Sequence, residues 1–422
     1  MNASARHVQR VYLLLLLLHT LAASFIWGIN TLFLLDAGLS NAEAFAANAF
    51  FTAGMVLFEV PTGVVADTRG RRLSYLLGTL TLAASTVVYL LMWTLKGPFW
   101  AWALTSAFLG LGFTFFSGAF EAWLVDALTA SGFLREGGTL ESVLAKGKIV
   151  EGAAMLGGSV AGGLVAQATN LGVPYILRSV ALALSFVLAF VLMRDTGFTP
   201  NRSKDLVGEV GRILRGAVRH GLGSPPVRWV MLAAPFTGGV SIYAFYAMQP
   251  YLLQLRGNER AYAVAGLAAA AVAGAQIAAG LLVPHVGRLF RRRTSVMLGA
   301  TALSVVVLAT VALVPTFWAA IVLLVLWGLM FAAVMPVRQA YLNGLIPSQE
   351  RATVLSFDSM MGSSGAVAIQ PLLGKAADAW GYPASYACAA AIQGLSLPFF
   401  WLARRERPKS DVIPRDAAKE KR

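Results

Sequence analysis

Charge is scarce in this chain. Only 13% of its 422 residues are Asp, Glu, Lys or Arg, about half the share of an ordinary soluble domain, while 57% are hydrophobic. A soluble fold of this length could not cover so much apolar side chain with so few charges, so the composition is that of an integral membrane protein. Cysteine is nearly absent: the single Cys388 excludes an intramolecular disulfide and a cysteine metal cluster. The four histidines are scattered, without HExxH spacing, and no nucleophile elbow occurs, which argues against a membrane-embedded hydrolase. There is no GxxxxGK[ST] loop for direct use of ATP. No catalytic residue, metal site or cofactor is therefore expected. Acid is scarcer than base, 20 residues against 34, giving a net charge of +14. The bases form short clusters between apolar runs rather than one patch interleaved with aromatics, so nucleic acid is not an expected partner.

What the chain has is long apolar runs. Twelve segments reach the ~20 residues needed to span a bilayer as a helix, at 9–35, 41–66, 73–95, 99–128, 145–168, 174–193, 228–254, 261–286, 294–314, 316–344, 353–374 and 383–402. The first run is too long for a signal peptide and is followed by many like it, so it reads as a retained span. With the N-terminus inside, only Lys96, Arg256, Arg260 and Lys375 fall in outer loops, and Arg178 and Arg338 lie within spans. Every other basic residue is on the inner side, which predicts that both termini are cytoplasmic. The spans divide six and six into an N-terminal bundle (1–194), a cytoplasmic linker (195–226) and a C-terminal bundle (227–403). Within the linker, Leu206, Val207, Val210, Ile213, Leu214, Ala217 and Val218 recur at helical spacing opposite Arg212, Arg215 and Arg219. That pattern fits an amphipathic helix on the inner leaflet and, equally, a solvated linker helix. The tail 404–422 is charged, carries two prolines and is expected to be disordered.

The halves repeat. GVVADTRGR, Gly63 to Arg71, aligns with GLLVPHVGR, Gly280 to Arg288, each after the second span of its half. FEAWLVDAL, Phe120 to Leu128, aligns with VRQAYLNGL, Val337 to Leu345, so that Glu121 matches Arg338 and Asp126 matches Asn343. This six-plus-six pattern, the GxxxDxxGRR loop and PSQERATVLS (Pro347 to Ser356) together resemble the major facilitator superfamily over nearly the whole chain. The resemblance implies an all-α membrane fold of two pseudo-symmetric six-helix bundles and alternating access around a cavity lined by spans 1, 4, 7 and 10. It further implies a cytoplasmic gate built from Gly63, Asp67, Gly70, Arg71, Arg72 and Asp126, with Asp67 facing the start of span 11 and Arg71 pairing with Asp126. The usual basic residue of the motif is Thr68 here, with Arg69 beside it. In span 5, Gly158, Gly162 and Gly163 resemble an antiporter signature with Ser159 in place of its proline; they would give a smooth face for packing against the other half.

Carboxylates inside spans usually face a partner or a polar cavity, because an acid at a span's centre costs about 2.5–3.5 kcal/mol. Glu121 and Glu59 are the candidates for proton coupling. Glu121 is the better candidate, because span 4 is expected to line the cavity, with half of a fixed ion pair with Arg338 as its lesser alternative; Glu59, eight residues or ~12 Å before Asp67, is equally readable as a hydrogen-bonding support for the gate. Trp327 and Phe331 share a face of span 10 with Arg338. Tyr243, Tyr246 and Gln249 of span 7, with Trp27 and Asn30 of span 1, complete a set of aromatic walls and polar anchors that suits an amphipathic organic solute, or simply packing. His19 reads as a packing residue and His285 as part of an inner loop. The expected function is secondary transport of such a solute across the inner membrane by a monomer, with protons, solute and lipid as its partners. Efflux by proton antiport leads; proton-symport or facilitative uptake, and a transport-dead scaffold or receptor, stand as alternatives.

Overall fold

The computed structural model describes residues 3–200, 208, 210–211, 215–347 and 350–413. Eleven helical stretches among them are long and apolar enough to cross a bilayer. The last, Thr353–Glu406, holds two spans, because the backbone turns at Gly381 with φ 80°, a conformation that favours glycine. The twelve expected spans are thus present. Spans 1 to 3 are Ala3–Trp27 continued by Asn30–Asp36, Asn41–Arg69 and Arg71–Leu95. Spans 4 to 6 are Phe99–Thr114 continued by Ala119–Ala130, Leu140–Ala168 and Gly172–Leu192. Spans 7 to 10 are Pro225–Arg256, Tyr262–Leu289, Arg293–Leu313 and Phe317–Asn343; span 11 covers 351–380 and span 12 ends in Leu397–Glu406.

Local chemistry sets several of these ends. Span 2 starts at a capping box: the Ser40 hydroxyl accepts from the Glu43 amide while the Glu43 carboxylate accepts from the Ser40 amide. It stops at Gly70, whose φ of 115° turns the chain into span 3. Span 4, read from sequence as one helix, is broken after Thr114 and restarts beyond Gly118 at φ 67°. His285 lies inside the span 8 helix rather than in a loop. Leu313, Trp318, Ile149 and Trp380 are each more than 70% exposed, a surface that only lipid can solvate.

By internal contact the chain forms two units, Met1–Val210 with Gly257–Ala270, and Gly211–Arg256 with Ala271–Arg422. The core of the first gathers Tyr12, Leu15, Tyr75, Trp123 and Leu124; that of the second gathers Met231, Met297, Val337, Tyr341 and Phe400. Each unit closes the start of its third span in the same way. In the first, the Asp195 carboxylate accepts from the amide of Arg72, 2.8 Å away. In the second, Asp411 accepts from the amide and hydroxyl of Thr294, both at 2.8 Å. Both amides are orphan donors of a helix N-terminus, so each carboxylate acts as a cap supplied from the end of the unit's last span.

This cap alters the expectation for the tail. Asp411 is buried, Val412 pairs with Arg292 as an isolated bridge, and the amide of Ile413 donates to Arg291, so the tail is tied to the second unit as far as 413, and 414–422 lie outside the described residues. Of the expected linker helix, residues 206, 207, 209 and 212–214 lie outside the described residues, and Ala217–Leu222 form a short π-helical stretch. Removing the cap with Asp411→Ala leaves a buried amide and hydroxyl unpaired, a loss of about 1–3 kcal/mol. The expected result is a lower thermal midpoint for the detergent-purified protein, with Asp195→Ala behaving alike. Unchanged midpoints in both would remove the capping role.

Candidate functional site

The most developed polar site lies in the second unit, and small residues build it. Spans 7 and 11 cross with their backbones in contact: a Cβ on Gly238 would sit 2.9 Å from the Gly362 carbonyl, and one on Gly365 would overlap the carbonyl of Pro235. One turn before Gly362 on span 11 stands Asp358, and Arg338 reaches it from span 10, two residues beyond Pro336. The two groups meet as a fork, Nη1 to Oδ2 and Nη2 to Oδ1, both 2.6 Å, the geometry of a bidentate charge-assisted pair. Arg338 is 12% exposed and Asp358 7%. Desolvating two charges so far is tolerable only because each satisfies the other.

The pair forms part of the wall of a cavity of about 460 Å³, a volume suited to a small organic molecule. Thr237, Ser241 and Ser359 add hydroxyls, while Met330 and Phe331 supply apolar and aromatic surface. Gln393, also on the wall, donates to Ser304 at 3.1 Å and leaves its buried amide oxygen without a hydrogen bond. The chemistry on offer is an apolar recess with a few fixed polar anchors. Its ion pair is neutral while closed and exposes a charge if it opens.

Of the cavity residues expected from sequence, Phe331 and Arg338 line this space. Trp327 stacks behind Phe331, ring centroids 6.1 Å apart, with its indole N–H unpaired. Tyr243 and Gln249 are fully buried outside the cavity lining, and the Tyr243 hydroxyl bonds Ser385. Tyr246 packs edge-on against Phe245. In the first unit, Trp27 ends the first helix of span 1, and Asn30 donates to Asn48 and accepts from Tyr175, both at 2.9 Å. His19 packs on Phe116, with 4.2 Å between centroids.

The carboxylates are placed differently from expectation. The partner of Arg338 is Asp358, so the fixed Glu121–Arg338 pair is not formed. Glu121 is exposed in the first turn of the second segment of span 4. Glu59 accepts the Ser117 hydroxyl at 2.5 Å. At the gate motif, Arg71 pairs with Asp67 one turn earlier, and its Nε lies 3.9 Å from Asp126. Arg72 donates to the Phe190 carbonyl at 2.6 Å. Gly63, a glycine of the motif where a tight turn or close helix approach is expected, makes neither: it sits mid-helix, a Cβ there would meet nothing within 4 Å, and the turn comes at Gly70. The span 5 glycines are another. Gly158 and Gly162 pack against Ser24 and Phe25 of span 1, in their own half, and only Gly163 meets span 8, at Gly266.

Asp358 was missed in the sequence, although the signal was there. A lone acid in the apolar run VLSFDSMMGSS falls under the same rule that singles out Glu121. Asp195 and Asp411 gave no comparable signal, since an acid in a polar connection is ordinary.

The comparisons with known proteins agree with this architecture. The sequence model of the Major Facilitator Superfamily matches residues 12–291 and 261–421. "Multidrug resistance protein MdtG" of Salmonella choleraesuis (strain SC-B67) is 26% identical over 350 residues, covering 82% of this chain and 81% of that protein. The protein of the same name from Salmonella paratyphi B (strain ATCC BAA-1250 / SPB7) is 26% identical over 349 residues, with the same coverage. Among solved structures, the nucleoside transporter NupG has a TM-score of 0.73 at 12% identity, covering 96% of this chain and 100% of that one. A D-xylose-proton symporter has a TM-score of 0.68 at 16% identity, covering 94% and 98%. At such identities these two establish a shared fold. With twelve spans in two units and a family model running across both, the chain belongs to the Major Facilitator Superfamily and is a secondary transporter, not an enzyme.

Proposed function

We propose that the protein exports a small amphipathic organic solute across the inner membrane in exchange for protons, with Asp358 as the coupling acid and Arg338 as its counter-charge. What carries this reading is the Arg338–Asp358 fork in the wall of a largely apolar cavity. A coupling acid must change something the solute can feel. Protonating Asp358 would release the guanidinium and alter the charge of the cavity wall. An exposed Glu121 without an ion pair or hydrogen bond among the described residues controls no such element. The curated relatives named for multidrug resistance support efflux. One proton moving through 100 mV supplies about 2.3 kcal/mol, enough to hold a solute gradient of about fifty-fold, so one acid suffices.

A screen of amphipathic organic compounds against the thermal midpoint of the purified protein tests the binding half of this proposal. Some compounds are expected to raise the midpoint in the wild type, as any native-state ligand does. Phe331→Ala should weaken that shift, while Tyr243→Phe, which lies outside the cavity, should keep it. Failure of every compound class to stabilise the protein, followed by absence of flux, would favour a scaffold or receptor.

A further inference from the structure

We propose that the second unit carries a binding site for an anionic phospholipid, between the start of span 9 and the end of span 12. A cavity of about 650 Å³ opens there, ringed by Arg291, Arg292, Arg404 and Arg407 with Ser295 among them. Four guanidinium groups in one recess call for negative charge, and none makes an ion pair among the described residues. The described acids of the tail are engaged elsewhere: Asp411 is buried against Thr294, and Glu406 accepts the Trp229 indole N–H at 3.1 Å. Arg293, by contrast, is tied to the Ser410 carbonyl and plays no part in the ring. Its four neighbours are left facing the opening.

The other wall of the recess is apolar. Phe290, Leu298 and Ala302 line it, and Gly299 is exposed with only the Phe290 ring near its missing side chain, 3.8 Å away. This surface continues along span 9 into Leu303 and Val306, 51% and 58% exposed. Basic side chains at the membrane surface above an apolar groove match a ligand with a phosphodiester head and acyl chains. A soluble phosphate would use the arginines alone and leave the groove without a function. The tail strap at 408–413 holds this geometry by fixing the start of span 9.

The test uses the full-length protein in detergent, titrated with dioleoyl phosphatidylglycerol or phosphatidylcholine and read by native mass spectrometry and by thermal midpoint. Phosphatidylglycerol should be retained and should raise the midpoint, and phosphatidylcholine should not. Each basic group near an anionic lipid is worth about fivefold in affinity, so Arg291→Gln/Arg404→Gln/Arg407→Gln should weaken retention on the order of 100-fold. A charge-matched control, Arg6→Gln/Arg10→Gln/Lys146→Gln in the first unit, should retain the lipid as the wild type does. If the triple variant fails to fold, Arg404→Gln alone should still show about fivefold weaker retention. Equal retention by the wild type and the variants overturns the proposal, as does equal binding of both lipids or an equal loss in the control. Complete displacement by millimolar inorganic phosphate also overturns it, since the site would then hold a soluble anion.

Discussion

Asp358→Asn is expected to reduce pH-driven solute flux in proteoliposomes to the level of protein-free vesicles, while solute exchange at equal pH continues. The carboxamide cannot take up a proton, and it leaves the Arg338 guanidinium short of its counter-charge in a site where the pair is 12% and 7% exposed. Breaking one side of a buried pair costs about 3–5 kcal/mol, so this variant and Arg338→Gln should also lose thermal stability. Stability and coupling can be separated. Replacing both partners by apolar residues of similar volume, as in Arg338→Met/Asp358→Leu, removes two desolvated charges together and is often neutral or stabilising by about 1–4 kcal/mol. The double variant should therefore melt at or above the wild-type temperature yet show no response to pH. A stable double variant with normal pH-driven flux would make the fork a structural pair only.

The second large effect is expected from single methyl groups. Gly162→Ala places a carbon onto the Phe25 carbonyl of span 1, and Gly365→Ala places one onto the Pro235 carbonyl of span 7. Backbone at a helix crossing cannot swing aside as a long side chain can, so the helices must separate. Overpacking of this kind costs about 1–3 kcal/mol, a fall of roughly 2–12 °C in melting temperature for a unit of about 200 residues. Transport should fall as well in Gly365→Ala, because span 11 carries Asp358 one turn from the crossing with span 7. Gly157 supplies the internal control. It lies one residue from Gly158, faces open space, and on replacement by alanine should gain up to about 1 kcal/mol of helix propensity. If Gly162→Ala and Gly157→Ala melt alike, close backbone packing does not hold these spans.

Much of the fold was legible in the sequence because a bilayer imposes a length and a composition on every crossing. The twelve apolar runs and the turn at Gly70 follow from that constraint and from glycine. The boundaries set by side chains were not legible. Asp195 and Asp411 cap helices more than 100 residues away, and such pairings leave no local pattern. The site was half legible. Of the residues proposed for a cavity, Arg338 and Phe331 line the one in the second unit. Tyr243 does not, since a helical face shows which residues share a direction and not whether that direction is cavity or core. The repeat register set Glu121 against Arg338, but a register compares positions and does not bring them into contact; Asp358 provides the contact.

Proton exchange through the Arg338–Asp358 pair is tested most directly by the sign of flux under an imposed pH gradient. Proteoliposomes are prepared with an acidic interior and supplied with a fluorescent amphipathic solute that stabilises the protein, beside protein-free vesicles and vesicles carrying Asp358→Asn. Antiport predicts accumulation of the solute in wild-type vesicles as protons leave, beyond that in either control. Expulsion of the solute with the protons, or equal accumulation in wild-type and Asp358→Asn vesicles, would contradict it.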